Sequence, residues 1–314
     1  MDSARTPRRW RFRRDPLPSR EWPRLDLPNV LWFFGAITAA IASIAVLDKV
    51  PESNADLWLL LASLGFLVAY ALAGILLYRQ DAWVPAGLMA TVSAATVPGV
   101  GYAFTQLIDA YPDDPFFDPT EDFSGTVFGI GVATAIVALG AFLVTRFSFL
   151  LALFVGAALV DVQLLTPAWS SSADDRAVSG IVSGGVAVGI GLLLDAGARR
   201  RHAFWFYVGG YLAIAAALAY YVVSAVDGGG ASGAWIAVLL VGAAVLVGGA
   251  LLRRATWATY GAAGLYSALF HYLGAGEWVR YVLLGVSLAV FVLGLALGRA
   301  RPEERPAPPP PTAS

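Results

Sequence analysis

The chain has 314 residues, of which 58% are hydrophobic and 14% charged, and its formal net charge is −1. A soluble globular domain carries roughly 25% charged and under 50% apolar residues, so that class is excluded. The lack of Cys excludes thiolate metal sites, redox pairs and disulfide frameworks.

Residues 1–28 hold Arg5, Arg8, Arg9, Arg11, Arg13, Arg14, Arg20 and Arg24 around Trp10 and Phe12, with no apolar run. They predict a disordered basic arm in the cytoplasm. Arg8, Arg9, Arg11, Arg13 and Arg14 are the expected contacts to anionic lipid headgroups, each worth about 1 kcal/mol near the surface. A twin-Arg export signal is the weaker reading, because Asp15, Pro16, Pro18 and Pro23 separate the Arg pair from the apolar stretch that starts near Val30.

Ten apolar segments follow, at 30–47, 57–78, 83–108, 125–145, 147–165, 178–197, 203–225, 233–252, 255–273 and 278–298. Each is near the length of about 20 residues that crosses a bilayer as a helix. The fold class predicted is all-α, a polytopic transmembrane bundle of ten helices over residues 29–298. Asp26 and Pro28 give the first helix its start signal, since Pro is tolerated where the N–H has no intrahelical partner. The longest spacer, Ala110–Ser124, is far below the roughly 40 residues at which a domain folds unaided, so any chemistry sits among the helices. Residues 299–314, ending in PEERPAPPPPTAS, predict a disordered Pro-rich cytoplasmic tail.

Alternate spacers differ in charge. The arm, Arg79, Arg146, Arg199 to Arg201, Arg253, Arg254, Arg299, Arg301 and Arg305 together hold 18 of the 21 basic residues. The opposite set holds Lys49, Arg176 and Arg280 with the acidic runs around Asp113, Asp118 and Asp174. Basic residues stay cytoplasmic, so both termini are expected in the cytoplasm and the span count is expected to be even. The location this implies is the bacterial cytoplasmic (inner) membrane.

The four cytoplasmic turns between segment pairs resemble one another. Each places an aromatic three or four residues after an Arg (Trp83, Phe149, Phe204, Trp257), then a Gly at 87, 156, 209 or 264. A degenerate tandem repeat of two-helix hairpins gives this pattern. So do snorkelling Arg and interfacial aromatics at unrelated helix ends.

Polar residues inside spans are costly, about 2.5–3.5 kcal/mol for Asp at a helix centre, so each raises a functional question. Asp161 is the only acid well inside a span, since Asp195 falls at a cytoplasmic helix end. Counted along their helices, Asp161, Gln163 and His271 reach a similar height in the outer third, and Glu277 and Arg280 dip into the same layer from the outer start of the tenth span. These five form a candidate outward polar vestibule. An ion pair between Asp161 and Arg280 requires the fifth and tenth spans to meet. The bland reading gives Asp161 and Gln163 to neighbouring backbone or interface water, and the nearby Tyr to an aromatic belt.

In the third segment, TVSAATVPGVG, Pro98 removes a backbone hydrogen bond, and Gly99 and Gly101 loosen the same turn. A helix break is predicted there, with Thr96, Pro98, Gly99 and Gly101 as candidate ligand-binding positions. Thr91, Ser93 and Thr96 either present hydroxyls to a ligand or repair the kink. GxxxG spacings join Gly180 to Gly184, Gly185 to Gly189, Gly125 to Gly129 and Gly294 to Gly298, and predict close packing within the bundle before dimerisation. A GxGxxG match at Gly228, Gly230 and Gly233 follows no strand and reads as an exterior loop. No catalytic or metal residues are assigned, no cofactor is expected, and nucleic acid is not an expected partner.

Ten helices in about 300 residues with both ends inside resemble the architecture of the drug/metabolite transporter superfamily. That family closes its fourth helix with a Gly-Glu pair, where this chain reads FLVTRFSF around Arg146. The Arg-rich arm, the spans rich in Gly, Ala and Val, and the Arg-flanked hairpins are more similar to the uncharacterised multi-span integral membrane proteins of GC-rich, actinobacteria-like bacteria. Twenty Arg against the single Lys49 fit that codon bias. The functions expected are, in order, a structural or accessory membrane protein with membrane-protein partners, a secondary transporter of a small or apolar solute, and an intramembrane enzyme pairing Asp161 with His271.

Overall fold

The computed structural model describes residues 27–47, 55–112, 122–170, 172–197, 199–227, 231–252, 254–273 and 281. Among them the regular structure is helical, with no strand. In chain order the helices are α1 (Leu27–Leu47), α2 (Ala55–Arg79), α3 (Trp83–Ala95), α4 (Val97–Leu107), α5 (Gly125–Thr145), α6 (Phe149–Leu165), α7 (Ala173–Ala196), α8 (Arg200–Asp227), α9 (Ala231–Leu252) and α10 (Ala255–Leu273). A short 3₁₀ turn, Thr166–Ala168, extends α6.

Eight stretches among the described residues are long and apolar enough to cross a membrane, and the third of them, Trp83–Leu107, comprises both α3 and α4. Their side chains agree with a lipid surround. Leu31, Phe34, Ile37, Ile41 and Ile44 of α1 are all exposed, as is Leu251 of α9 at 79%. Such continuous apolar surface is avoided in water. Lipid accepts it, provided that each backbone N–H and C=O is satisfied within its own helix. The ninth expected segment, 255–273, is the helix α10. The tenth, 278–298, lies outside the described residues except for Tyr281, as do the arm up to residue 26 and the tail at 299–314.

The chain divides into two compact units. The first comprises α1 to α4 together with residues 136–153. Here α2 packs along α3 and α4, and α1 packs against α3. Helices α1 and α2 are joined by hydroxyls: Ser43 Oγ donates to the Ala39 carbonyl (2.8 Å) and pairs with Tyr70 Oη (2.6 Å), which also reaches the Ala39 carbonyl (3.2 Å). The fully buried Phe147 ring covers Gly87, where any Cβ would overlap it. Trp83 meets Phe147 edge-on at 5.4 Å and donates its indole N–H to the Thr145 carbonyl (3.4 Å). The turn that presents Phe147 passes through Arg146 at φ 58°, a left-handed conformation that costs a non-Gly residue about 1–2 kcal/mol.

The second unit comprises residues 112–135 and those from Phe154 onward. Its helices pair as α7 with α8 and α9 with α10, and α8 also packs against α9. Both pairs close through glycine. A Cβ on Gly184 would stand 2.6 Å from the Gly210 carbonyl oxygen, and one on Gly210 would stand 2.6 Å from the Gly184 carbonyl oxygen. On the other pair, a Cβ on Gly242 would meet Leu265 N at 2.7 Å, and one on Gly249 would meet Ala258 N at 2.6 Å. Lipid offers no hydrophobic drive between helices, so such close approach is what holds them.

Two sequence expectations are corrected. Helix α7 begins five residues before the predicted 178, because Ser172 Oγ accepts the Asp174 N–H (3.2 Å) and caps a polar first turn ahead of the apolar run. Of the described GxxxG pairs, only Gly180 with Gly184 lies at a helix contact. Among the described residues, nothing comes within 4 Å of a Cβ built on Gly185, Gly189, Gly125 or Gly129. In the four similar turns, Gly87, Gly209 and Gly264 are each closely approached, whereas Gly156 has no neighbour within 4 Å of a Cβ among the described residues. Gly294 and Gly298 lie outside the described residues, as do Gly228 and Gly230, while Gly233 belongs to the first turn of α9.

Candidate functional site

The predicted break lies at Thr96, the residue between α3 and α4, and Pro98 is the second residue of α4. The Thr96 N–H is shared between the carbonyls of Val92 (3.2 Å) and Ser93 (3.1 Å). Its hydroxyl donates back to the Ser93 carbonyl (2.7 Å), and Thr91 Oγ1 donates to the Gly87 carbonyl (2.8 Å). Ser93 Oγ crosses to the Leu67 carbonyl of α2 (3.0 Å). Among the described residues, a Cβ on Gly99 would meet only Ser63 Oγ, at 3.7 Å, and Gly101 follows within α4. The three hydroxyls beside the break thus donate to backbone carbonyls, those of Thr91 and Thr96 within α3 and that of Ser93 on α2.

In the second unit Asp161 of α6 is 7% exposed, and its Oδ1 has no hydrogen-bond partner among the described residues. That oxygen occupies the place a Cβ on Gly131 of α5 would take. Gln163, in the orientation its neighbours require, accepts the Gly180 N–H (3.1 Å) and donates to the Arg176 carbonyl (3.2 Å), tying α6 to α7. The fully buried Thr166 donates to the Val162 carbonyl (2.9 Å) and meets Ser179 Oγ (3.0 Å). His271 of α10 stacks on Trp235 of α9 at 4.4 Å and meets Tyr272 edge-on at 5.2 Å. The three described vestibule residues thus face different helices: Asp161 meets α5, Gln163 meets α7, and His271 meets α9. Glu277, Arg280 and the arm residues Arg8, Arg9, Arg11, Arg13 and Arg14 lie outside the described residues.

Comparison of the chain with protein-family models, curated proteins and solved structures finds no match. The site must be read from its own chemistry.

Two features escaped the sequence reading. At the end of α7, Asp195 pairs with Arg254, lies 3.8 Å from Arg200 Nε, and accepts the Tyr207 hydroxyl (3.3 Å). Tyr207 and Tyr211 each meet Trp257 edge-on at 5.5 Å, and Tyr211 lies 5.2 Å from Tyr260. This cluster joins α7, α8 and α10 beneath the ion pair. The available signal was a lone acid among arginines at helix ends, with Tyr repeated at i and i+4, the spacing that places two side chains on one helix face.

The second feature is a groove of about 770 Å³ lined by residues of α6, α7 and α8. Val178, Val182, Val186 and Ile190 recur every fourth residue along its α7 wall, facing Leu159 and Phe206. Trp169, Ser170 and Asp175 stand at one end, where Ser170 Oγ donates to the Asp175 carboxylate. Its volume falls within the roughly 300–1,000 Å³ of small-molecule sites. The alternation of small and β-branched residues on α7 is the only sequence signal for it, and that pattern reads equally as helix packing.

Proposed function

We propose that the chain is a multi-pass protein of the bacterial cytoplasmic membrane, with ten spans and both termini in the cytoplasm, that acts as a structural or accessory component. The observation that carries this reading is the use made of polar side chains within the spans. Ser43 with Tyr70, Ser93 with Leu67, Gln163 with α7, and Thr166 with Ser179 each link one helix to another. In lipid such hydrogen bonds act as helix-to-helix glue. A carrier instead turns unwound backbone and polar side chains toward a midplane cavity. The same polar inventory therefore supports a fixed assembly, and the basic arm supports attachment to anionic lipid.

Reconstituted vesicles test the reading against the secondary-transporter alternative. Purified full-length protein is examined with alkali cations, amino acids, sugars and hydrophobic amines, for flux under a pH gradient and for a raised unfolding temperature. The expected result is flux equal to that of protein-free vesicles and no stabilisation by these solutes. Saturable flux that Asp161→Asn abolishes would overturn the accessory reading and assign the chain to transport.

A further inference from the structure

We propose that the groove between α6, α7 and α8 holds a single phospholipid whose headgroup carries a primary ammonium. The inference rests on the reading of the chain as membrane-embedded. Its apolar wall is the Val178, Val182, Val186 and Ile190 row, exposed at 48%, 58%, 58% and 38%. From Asp175 to Ile190 the helix rises about 22 Å at about 1.5 Å per residue, enough to lie along an acyl chain from the interface past one leaflet's share of a core about 30 Å thick.

The polar end selects the head. Among the described residues that line the groove, Asp175 is the only charged one, and Arg176 is not among them. Asp174, beside it, is a second exposed acid of the same turn. Asp175 already accepts the Ser170 hydroxyl, so Ser170 holds the carboxylate at the mouth, and its remaining lone pairs can accept from an ammonium N–H. A headgroup carrying only negative charge would meet repulsion there. Trp169, 62% exposed, stands at the same end, where an indole ring suits the boundary between headgroup and acyl chain. An acid in a helix's first turn also complements the helix dipole, so a loss of stability in an Asp175 variant would carry no information about a ligand. The test must therefore read headgroup preference at constant chain length.

Delipidated full-length protein in detergent is titrated with dioleoyl phosphatidylethanolamine or dioleoyl phosphatidylglycerol, and bound lipid is counted by native mass spectrometry. The expected result is one saturable site that favours phosphatidylethanolamine up to about fivefold, the upper range for an ion pair at an exposed site. Asp175→Asn should erase the preference and Asp175→Lys should invert it. Val182→Trp, which fills the groove from an exposed position, should lower retention of both lipids. Circular dichroism identifies any variant that fails to fold, and Asp175→Asn and Asp175→Lys decide the matter without Val182→Trp. Equal retention of the two lipids by the unmodified protein, or a preference that survives Asp175→Asn, overturns the proposal. Release of the chain from alkali-washed membranes would instead overturn the membrane reading beneath it.

Discussion

Asp161 and Gly131 make one steric unit across α5 and α6. The carboxylate fills the volume that a methyl group on residue 131 would need, and the Asp side chain is too short to swing far. Gly131→Ala is expected to destabilise the protein by about 1–3 kcal/mol, the usual range for overpacking. Asp161→Ala removes a buried Oδ1 that has no hydrogen-bond partner among the described residues, so its own cost should be small. In the double variant the new methyl enters the vacated space, and the two changes should show a favourable coupling of about 1 kcal/mol or more. Chemical unfolding of the four proteins in lipid nanodiscs measures this cycle. Strict additivity would mean that the two residues do not touch.

At the scale of elements, a GxxxG spacing says where glycines recur along a helix and leaves open which of them meets a neighbour. Gly184 and Gly185 are adjacent in α7, and a step of about 100° around the axis separates their side-chain directions. One faces the Gly210 carbonyl of α8 and the other faces open space. Gly184→Ala should therefore lower the unfolding temperature, at a cost of about 1–3 kcal/mol. Gly185→Ala should leave it unchanged or raise it, since Ala is the better helix former by about 1 kcal/mol. Thermal unfolding of the two variants side by side in detergent decides it, and equal losses would mean that α7 and α8 do not cross where described. The α3–α4 break carries the same lesson. Pro98 made the interruption legible, whereas the destination of the Thr91, Ser93 and Thr96 hydroxyls depended on which carbonyls lay within reach.

For the whole molecule, the prediction that matters most is topology. The chain lacks Cys, so the unmodified protein is its own blank for single-Cys labelling. An impermeant thiol reagent is expected to label Cys placed at Asp118 or Ser171 in intact cells. Cys placed at Arg200 or Arg253 should react only after permeabilisation. External labelling at Arg200 would contradict the ten-span arrangement and the cytoplasmic termini together.

The sequence by itself determined the helical class, the eight long apolar stretches among the described residues, and the break at Thr96. These were legible because lipid imposes its conditions one segment at a time: sufficient apolar length, and backbone hydrogen bonds satisfied within the segment. Which turn of its helix a residue occupies was legible too, by counting. Direction around the helix was not. Asp161, Gln163 and His271 were grouped by height, yet their neighbours are Gly131, the α7 backbone and Trp235. Asp195 and Arg254 are 59 positions apart in sequence, and the groove is lined from three helices. Only the tertiary structure decided these, because side-chain partnerships depend on which helices meet and at what rotation, and an apolar surface in an apolar solvent carries little pattern that fixes either.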